Sequence, residues 1–397
     1  MMKYDFDRVI DRSVTNDMKW HTGPVRSYLN VEVREDMIPM WIADMDFACP
    51  PCVVEAVKAR AEKEIYGYCA PGVDYFKAVT YWYKSRYGIA LDPACICVVP
   101  SVVGAINAAI RAFTQPGEGV IIQQPVYEPF AGLIQQTGRT VVNNGLVCEQ
   151  GRYRMNFEEL EQLAAKPENK LLVLCSPHNP VGRVWSREEL ARLGRICKEN
   201  GVLVVSDEIH SDIVYPGHKH TPFWTVEEDF AKHCIVCTAP GKTFNVAGLK
   251  MANTLIFDPD MRSRFDAQIK AMSLDVRNTF GLEGVAAAYS PEGEEWLEEL
   301  LVYLKGNAEL VRDYVQEHLP QVDFVEPEGT FLCWLDLTRT GLTDAEILKR
   351  VDVEAGVICV PGPWFGKGGE RHLRLNIGCT RANLAAAMER IAQALQS

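Results

Sequence analysis

Long apolar runs are missing from this 397-residue chain. No stretch approaches the roughly 20 residues that a membrane-spanning helix needs, so a membrane is not an expected partner. Basic runs are missing too. Asp and Glu total 53 against 41 Lys and Arg, a net charge of −12, and nucleic acid is not an expected partner either. The start, Met1-Met-Lys-Tyr-Asp-Phe-Asp-Arg8, lacks the apolar centre of a signal peptide, and the expectation is a cytoplasmic protein. There is no GxGxxG after a strand pattern and no GxxxxGK followed by Ser or Thr, which removes the main support for dinucleotide and P-loop readings. The histidines lack HExxH or CxxC…HxxxH spacing, so no metal is expected.

What the chain does have is ordinary for a globular protein: 47% hydrophobic and 24% charged residues, and a length that suggests two or three domains. Its 13 cysteines are odd in number and scattered, the pattern of reduced, mostly buried thiols. Two pairs, Cys49/Cys52 and Cys234/Cys237, have CxxC spacing. The second lies in a β-like run, where residues three apart point to opposite faces and cannot readily share one zinc ion. The loop histidines His210, His218 and His220 read as solvated.

Residues 1–40 are polar and irregular, with one or two short helical patterns. Helical patterns cover 52–64 and 74–87, and Tyr66-Gly-Tyr68 with Pro71-Gly72 forms a turn. Ile96–Val99 reads as a strand, and Ser101 as the N-cap of a helix from Val102 to Phe113. That junction exposes backbone N–H groups suited to a phosphate. Apolar strands then alternate with helices: Val120–Gln123, Lys170–Cys175, Val202–Val205 and Cys234–Cys237, with a capping box at Ser186/Glu189. Such runs belong to a mainly parallel sheet covered by helices on both faces. Beyond about residue 290 the texture changes to a long helix at 293–318, strand material from Phe324 to Leu337, helices at 343–351 and 380–395, and a strand from His372 to Ile377. The expected architecture is α/β: a large domain over 46–289 and a smaller α+β domain built from 290–397 and the N-terminal segment 1–45.

Lys242, in Thr238-Ala-Pro-Gly-Lys-Thr-Phe-Asn-Val-Ala-Gly-Leu-Lys250, has no charged neighbour within six residues on either side. A lysine in such surroundings loses hydration, and its amine becomes available as a nucleophile or base, as a Schiff-base lysine must. A snorkelling lysine in a left-handed turn is the other reading of this stretch. Three apolar strands end in polar groups: Ser176-Pro-His-Asn179, Ser206-Asp207-Glu-Ile-His210 and the Lys242 turn. Ligands of open α/β sheets sit at the carboxyl ends of strands, so these groups are expected to share one crevice. A buried Asp207 calls for a cation there, and a protonated pyridine nitrogen would serve.

The motifs Trp41-Ile-Ala-Asp-Met-Asp-Phe47, Tyr66-Gly-Tyr68, Pro125-Val-Tyr-Glu-Pro-Phe130, Ser176–Gly182, Ser206–His210, Lys242–Leu249 and Arg374-Leu-Asn376 run in order over nearly the whole chain. Together they resemble the fold-type I pyridoxal-phosphate enzymes of the class I/II aminotransferase superfamily, and within it the cystathionine β-lyase-like branch. The resemblance implies that Lys242 holds pyridoxal 5'-phosphate and moves the Cα proton. Asp207 would keep the pyridine nitrogen protonated, Asn179 would bond the cofactor and the substrate carboxylate, and Tyr127 would stack on the ring. Val102 and Val103 would offer backbone N–H groups to the phosphate, and Arg374 would grip the substrate α-carboxylate. Tyr68, rather than Tyr66, would reach the phosphate of the neighbouring subunit in a homodimer whose active sites are shared across the interface. Three positions depart from the common pattern: Ala239 replaces a serine, Lys250 a phosphate-binding arginine, and His210 a tyrosine beside the cofactor.

The implied activity is β-elimination from L-cystathionine or a related cysteine S-conjugate, a small amino-acid substrate, giving thiol, pyruvate and ammonia. An aminotransferase would use the same residues. A non-catalytic regulatory protein on the same fold would need none of Lys242, Asp207, Asn179 and Arg374 together.

Overall fold

The chain is seen in a computed structural model that describes residues 3–21, 23, 27, 34 and 36–396. The helical patterns expected within residues 1–40 lie in part outside the described residues.

Seven strands form the principal sheet: β1 (Ile96–Val99), β2 (Gly119–Ile122), β3 (Thr140–Asn143), β4 (Asn169–Cys175), β5 (Leu203–Asp207), β6 (Cys234–Thr238) and β7 (Ala252–Leu255). Their spatial order is β1-β7-β6-β5-β4-β2-β3, and β7 runs antiparallel to both neighbours while the other pairs are parallel. Side chains alternate across the sheet. In β4, Leu171, Val173 and Cys175 enter one apolar cluster and Leu172 and Leu174 another. Cys234 and Cys237 of β6 likewise fall in opposite clusters. Both faces are dry, which is why these strands are apolar throughout rather than alternating.

The covering helices are α1 (Val73–Tyr87), α2 (Val102–Phe113), α3 (Pro129–Gln136), α4 (Arg187–Glu199), α5 (Pro259–Ala271), α6 (Pro291–His318) and α7 (Arg381–Gln396). Ile106 of α2, Phe130 of α3 and Phe265 of α5 cover one face, whereas Trp82 of α1, Leu193 of α4 and Trp296 of α6 cover the other. Local signals begin these helices where expected. The Ser101 hydroxyl accepts from the Gly104 N–H, and Ser186 with Glu189 forms a complete capping box.

A second, antiparallel sheet has the order β8 (Asp323–Val325), β9 (Leu332–Asp336), β11 (His372–Asn376), β10 (Val360–Pro361). The 28-residue α6, about 42 Å long, joins the two regions, because Trp296 and Val311 pack in one cluster with Leu332, Leu373 and Met388. Near the N-terminus, Ile38–Pro39 pairs in parallel with Val357–Ile358.

The helix expected at 343–351 divides. A short α-helix, Asp344–Leu348, opens with a Thr343/Glu346 capping box and continues as a π-helical segment, Lys349–Glu354. The widened turn buries Asp352, whose carboxylate accepts the Cys359 N–H at 3.2 Å. Hydrophobic periodicity alone does not reveal such a register change.

Candidate active site

Strand register brings the polar groups together. Cys175 pairs with Asp207 and Asp207 with Cys237, so the carboxyl ends of β4, β5 and β6 form one row across the sheet. Each strand then turns out of the sheet on the same edge. Because β7 is antiparallel, it begins at that edge, just after Lys250, while β1 ends there and leads into α2. The edge encloses a cavity of about 540 Å³, within the range of small-molecule sites.

Lys242, Asp207, Asn179, Tyr127, His210, Val102, Val103, Lys250 and Arg374 all line this cavity. Lys242 does not sit in a left-handed turn. It lies on a one-turn helix, Pro240–Thr243, and the positive φ values belong to Asn245 and Lys250. Pro240 supplies a fixed φ at the helix start, which favours the helical turn over a left-handed one at Lys242. Lys242 Nζ donates to the Ala43 carbonyl at 2.5 Å. Burial, reinforced by the positive charge of Arg374, pushes the Lys242 amine down to about 8.

Asp207 is 3% exposed. One oxygen accepts the Ile209 N–H at 3.1 Å, and among the described residues no cation lies within ion-pair distance. Burial pushes its carboxyl up to about 7 despite the Lys242 charge. Burial and the nearby carboxylate of Asp207 push Tyr127 up to about 12. Arg374 comes from β11, opposite Trp334 of β9 and Val360 of β10, on the face turned away from Leu373 and Leu375. Its guanidinium donates to Asn179 Oδ1 at 3.2 Å and to the Trp41 carbonyl at 2.6 Å, and it lies over the Phe365 ring.

The histidine loop is not solvated as a set. His210 and His220 are buried. His220 Nε2 meets the buried Glu208 at 3.0 Å, a partner that this carboxylate requires away from water. His210 lies against Phe331, and burial, followed by the charges of Lys242 and Arg374, holds it well below its usual range. It is therefore neutral, and its Nδ1 has no hydrogen-bond partner among the described residues.

Tyr68 is not brought to the cavity of its own chain. It is fully exposed, whereas Tyr66 donates to the Ala61 carbonyl at 2.7 Å and packs on Phe280. Several further residues line the cavity without any sequence signal of an individual role, among them Trp41, Ile42, Ala43, Trp364 and Phe365. The first three stand in a motif already singled out, but a backbone carbonyl that acts as the partner leaves no mark in residue type.

Comparison with known proteins decides the family. The model of aminotransferase class I and II matches residues 35–391. The chain belongs to the class I and II aminotransferases, in their fold-type I pyridoxal-phosphate form. Among the relatives of this class I and II chain is cystathionine beta-lyase PatB of Bacillus subtilis (strain 168), 41% identical over 98% of this chain and 100% of that protein. Cystalysin of Treponema denticola, a structure containing pyridoxal 5'-phosphate, superposes with a TM-score of 0.95 at 34% identity, covering 100% of this chain and 99% of the other. The pyridoxal-phosphate-bound C–S lyase of Staphylococcus hominis gives 0.91 at 32% identity, covering 100% and 99%.

The residues of this class I and II site fit that cofactor. A carboxylate as buried as Asp207, with one backbone donor, needs a cation, and a protonated ring nitrogen is one. The edge also offers an amine near neutrality, the start of α2 and the Lys250 ammonium, the complement of an aldehyde and a phosphate.

Proposed function

We propose that the protein is a pyridoxal-phosphate-dependent carbon–sulfur β-lyase that cleaves L-cystathionine or a related cysteine S-conjugate to thiol, pyruvate and ammonia. The observation that carries the reading is the pairing, in one cavity, of an amine held at about 8 with a guanidinium suited to an α-carboxylate. Lys242 would hold the cofactor, and Asp207, Asn179, Tyr127 and His210, which line the same cavity, would contact it. The start of α2 at Val102 and Val103, together with Lys250, would take its phosphate. When bound, the cofactor supplies the electron sink for the pair left on Cα.

The chain's own groups do the remainder. Arg374, steadied by Asn179 and the Trp41 carbonyl, orients the substrate by its carboxylate. Near neutral pH, Lys242 can take the Cα proton and return one to the departing sulfur. One water is consumed when the released enamine product hydrolyses to pyruvate and ammonia. The protein works as a homodimer, in which the exposed Tyr68 reaches the partner's site.

Similarity over the full chain to PatB and to the C–S lyase structures supports elimination over transamination. The test is to supply L-cystathionine with and without an α-keto acid. Pyruvate and thiol released without keto acid are expected. Turnover strictly dependent on keto acid would make the protein an aminotransferase.

A further inference from the structure

The segment Trp41–Phe47 was singled out in the sequence, yet no role in the proposed chemistry falls to its side chains. Two of its carbonyls touch two basic side chains of the site: Ala43 accepts from Lys242 at 2.5 Å, and Trp41 accepts from Arg374 at 2.6 Å. The strap is tied beside each of those side chains. Asn245, three residues after Lys242, accepts the Met45 N–H and donates to the Met45 and Phe47 carbonyls. Asn376, two residues after Arg374, donates to the carbonyls of Ile42 and Asp44 at 2.6 and 2.7 Å.

The third tie is ionic. Asp46 is 7% exposed and its carboxylate is fully engaged: Oδ1 accepts from Arg12 Nη1 at 2.7 Å and Trp20 Nε1 at 3.0 Å, and Oδ2 accepts from Lys19 Nζ at 3.0 Å. Lys19 has no exposed surface, and Arg12 also grips Asp44 through both terminal nitrogens. A buried, multiply bonded charge cluster is a costly way to hold a loop, but it fixes one geometry, since any displacement strands a charge.

We infer that Asp46, clamped by Arg12, Lys19 and Trp20, is a positioning residue that holds the strap so that its carbonyls fix the spacing between Lys242 and Arg374. The inference rests on the reading of those two residues as base and carboxylate grip. With the clamp loosened, the substrate is gripped at a distance unsuited to proton removal, and a displacement near 1 Å is enough to cost about 10²-fold. The Ala43 carbonyl also favours the ammonium form of Lys242, so its withdrawal lowers the pH at which the amine becomes neutral. The charged and titratable groups around Lys242 that share this control are Arg374, Asp44, Asp207, Lys250 and the neutral His210.

The test uses Trp20→Phe, which deletes one donor to Asp46 without changing any charge, alongside Asp46→Asn. In the holoenzyme, kcat/KM for L-cystathionine should fall about threefold for Trp20→Phe and tenfold or more for Asp46→Asn, with KM rising while the melting temperature of Trp20→Phe stays near that of the parent. In the cofactor-free full chain, labelling of Lys242 by an amine reagent, read by peptide mass spectrometry across pH, should show a lower midpoint in Trp20→Phe. If Asp46→Asn does not fold, Trp20→Phe alone decides. An unchanged labelling midpoint together with unchanged kinetics in folded Trp20→Phe overturns the inference. The labelling arm needs no turnover, so a parent protein that releases no pyruvate would refute the lyase reading without touching the strap.

Discussion

Burial acts on Lys242 and Asp207 in opposite senses, lowering the amine to about 8 and raising the carboxyl to about 7, because in each case the charged form loses water. The stability consequence for Lys242 follows from linkage. The folded chain holds its proton more weakly than the unfolded one, whose amine titrates at its ordinary 10.5, so the stability of the cofactor-free protein rises with pH between about 8 and 10.5. Lys242→Met should therefore stabilise the cofactor-free protein at pH 7 by about 1–3 kcal/mol. That gain should shrink as pH climbs through the same window, and denaturant melts at several pH values check it. Turnover should be lost in the same variant. Asp207→Ala should reduce turnover by about 10²-fold or more, the scale of losing a preorganised charge, while cofactor is still retained. Full activity in Asp207→Ala, measured by pyruvate release, would refute the electron-sink assignment.

At the level of elements, the sequence carried more than the side chains alone suggest. The apolar strands, the Ser101 cap and the Ser186 box are local signals, and each appears where the pattern placed it. Ser101→Ala should cost about 1 kcal/mol, read from denaturant midpoints, because the Gly104 N–H loses its acceptor at the head of α2. Elements whose form depends on distant packing were less legible. The π-helical segment Lys349–Glu354 accompanies the burial of Asp352 against the Cys359 N–H, seven residues further on, and hydrophobic periodicity does not distinguish it from a regular helix. The Pro240-Gly241 pair suits a left-handed turn as well as the one-turn helix Pro240–Thr243, so the sequence does not separate the two. The burial of His210 and His220 is not legible either, because a loop rich in polar residues gives no sign that Glu208 is buried beside it.

For the whole molecule, the exposure of Tyr68 frames the assembly prediction. A fully exposed tyrosine that makes no approach to the cavity of its own chain suits a role across a two-fold interface. Mixing Lys242→Ala chains with Tyr68→Phe chains, with subunit exchange confirmed, tests this. Each hybrid dimer then contains one site with its own Lys242 and an intact Tyr68 from the partner. Random exchange should return activity towards about a quarter of the parent value, since half of the dimers are hybrids with one normal site of two. No gain over the two parent homodimers would place Tyr68 outside the neighbouring site.

By itself the sequence determined the class of fold, strands β1, β2, β4, β5 and β6 of the principal sheet with the helices α1, α2 and α4, and the candidate residues Lys242, Asp207, Asn179 and Arg374. These are properties of local periodicity, capping and motif order, which need no knowledge of distant contacts. Strands β3 and β7 and helices α3 and α5 were not determined in this way. Only the tertiary structure decided that the ends of β4, β5 and β6 stand in register, so that groups from residues 175 to 250 share one cavity with Arg374 of the second sheet. It alone revealed the strap, because the Trp41 and Ala43 carbonyls are common to every residue type and acquire meaning only from what faces them. The protonation balance of the site was also beyond the sequence. Whether Lys242 is neutral near pH 8 depends on how much water is excluded around it and on the Arg374 charge, which enters from more than a hundred residues further along the chain.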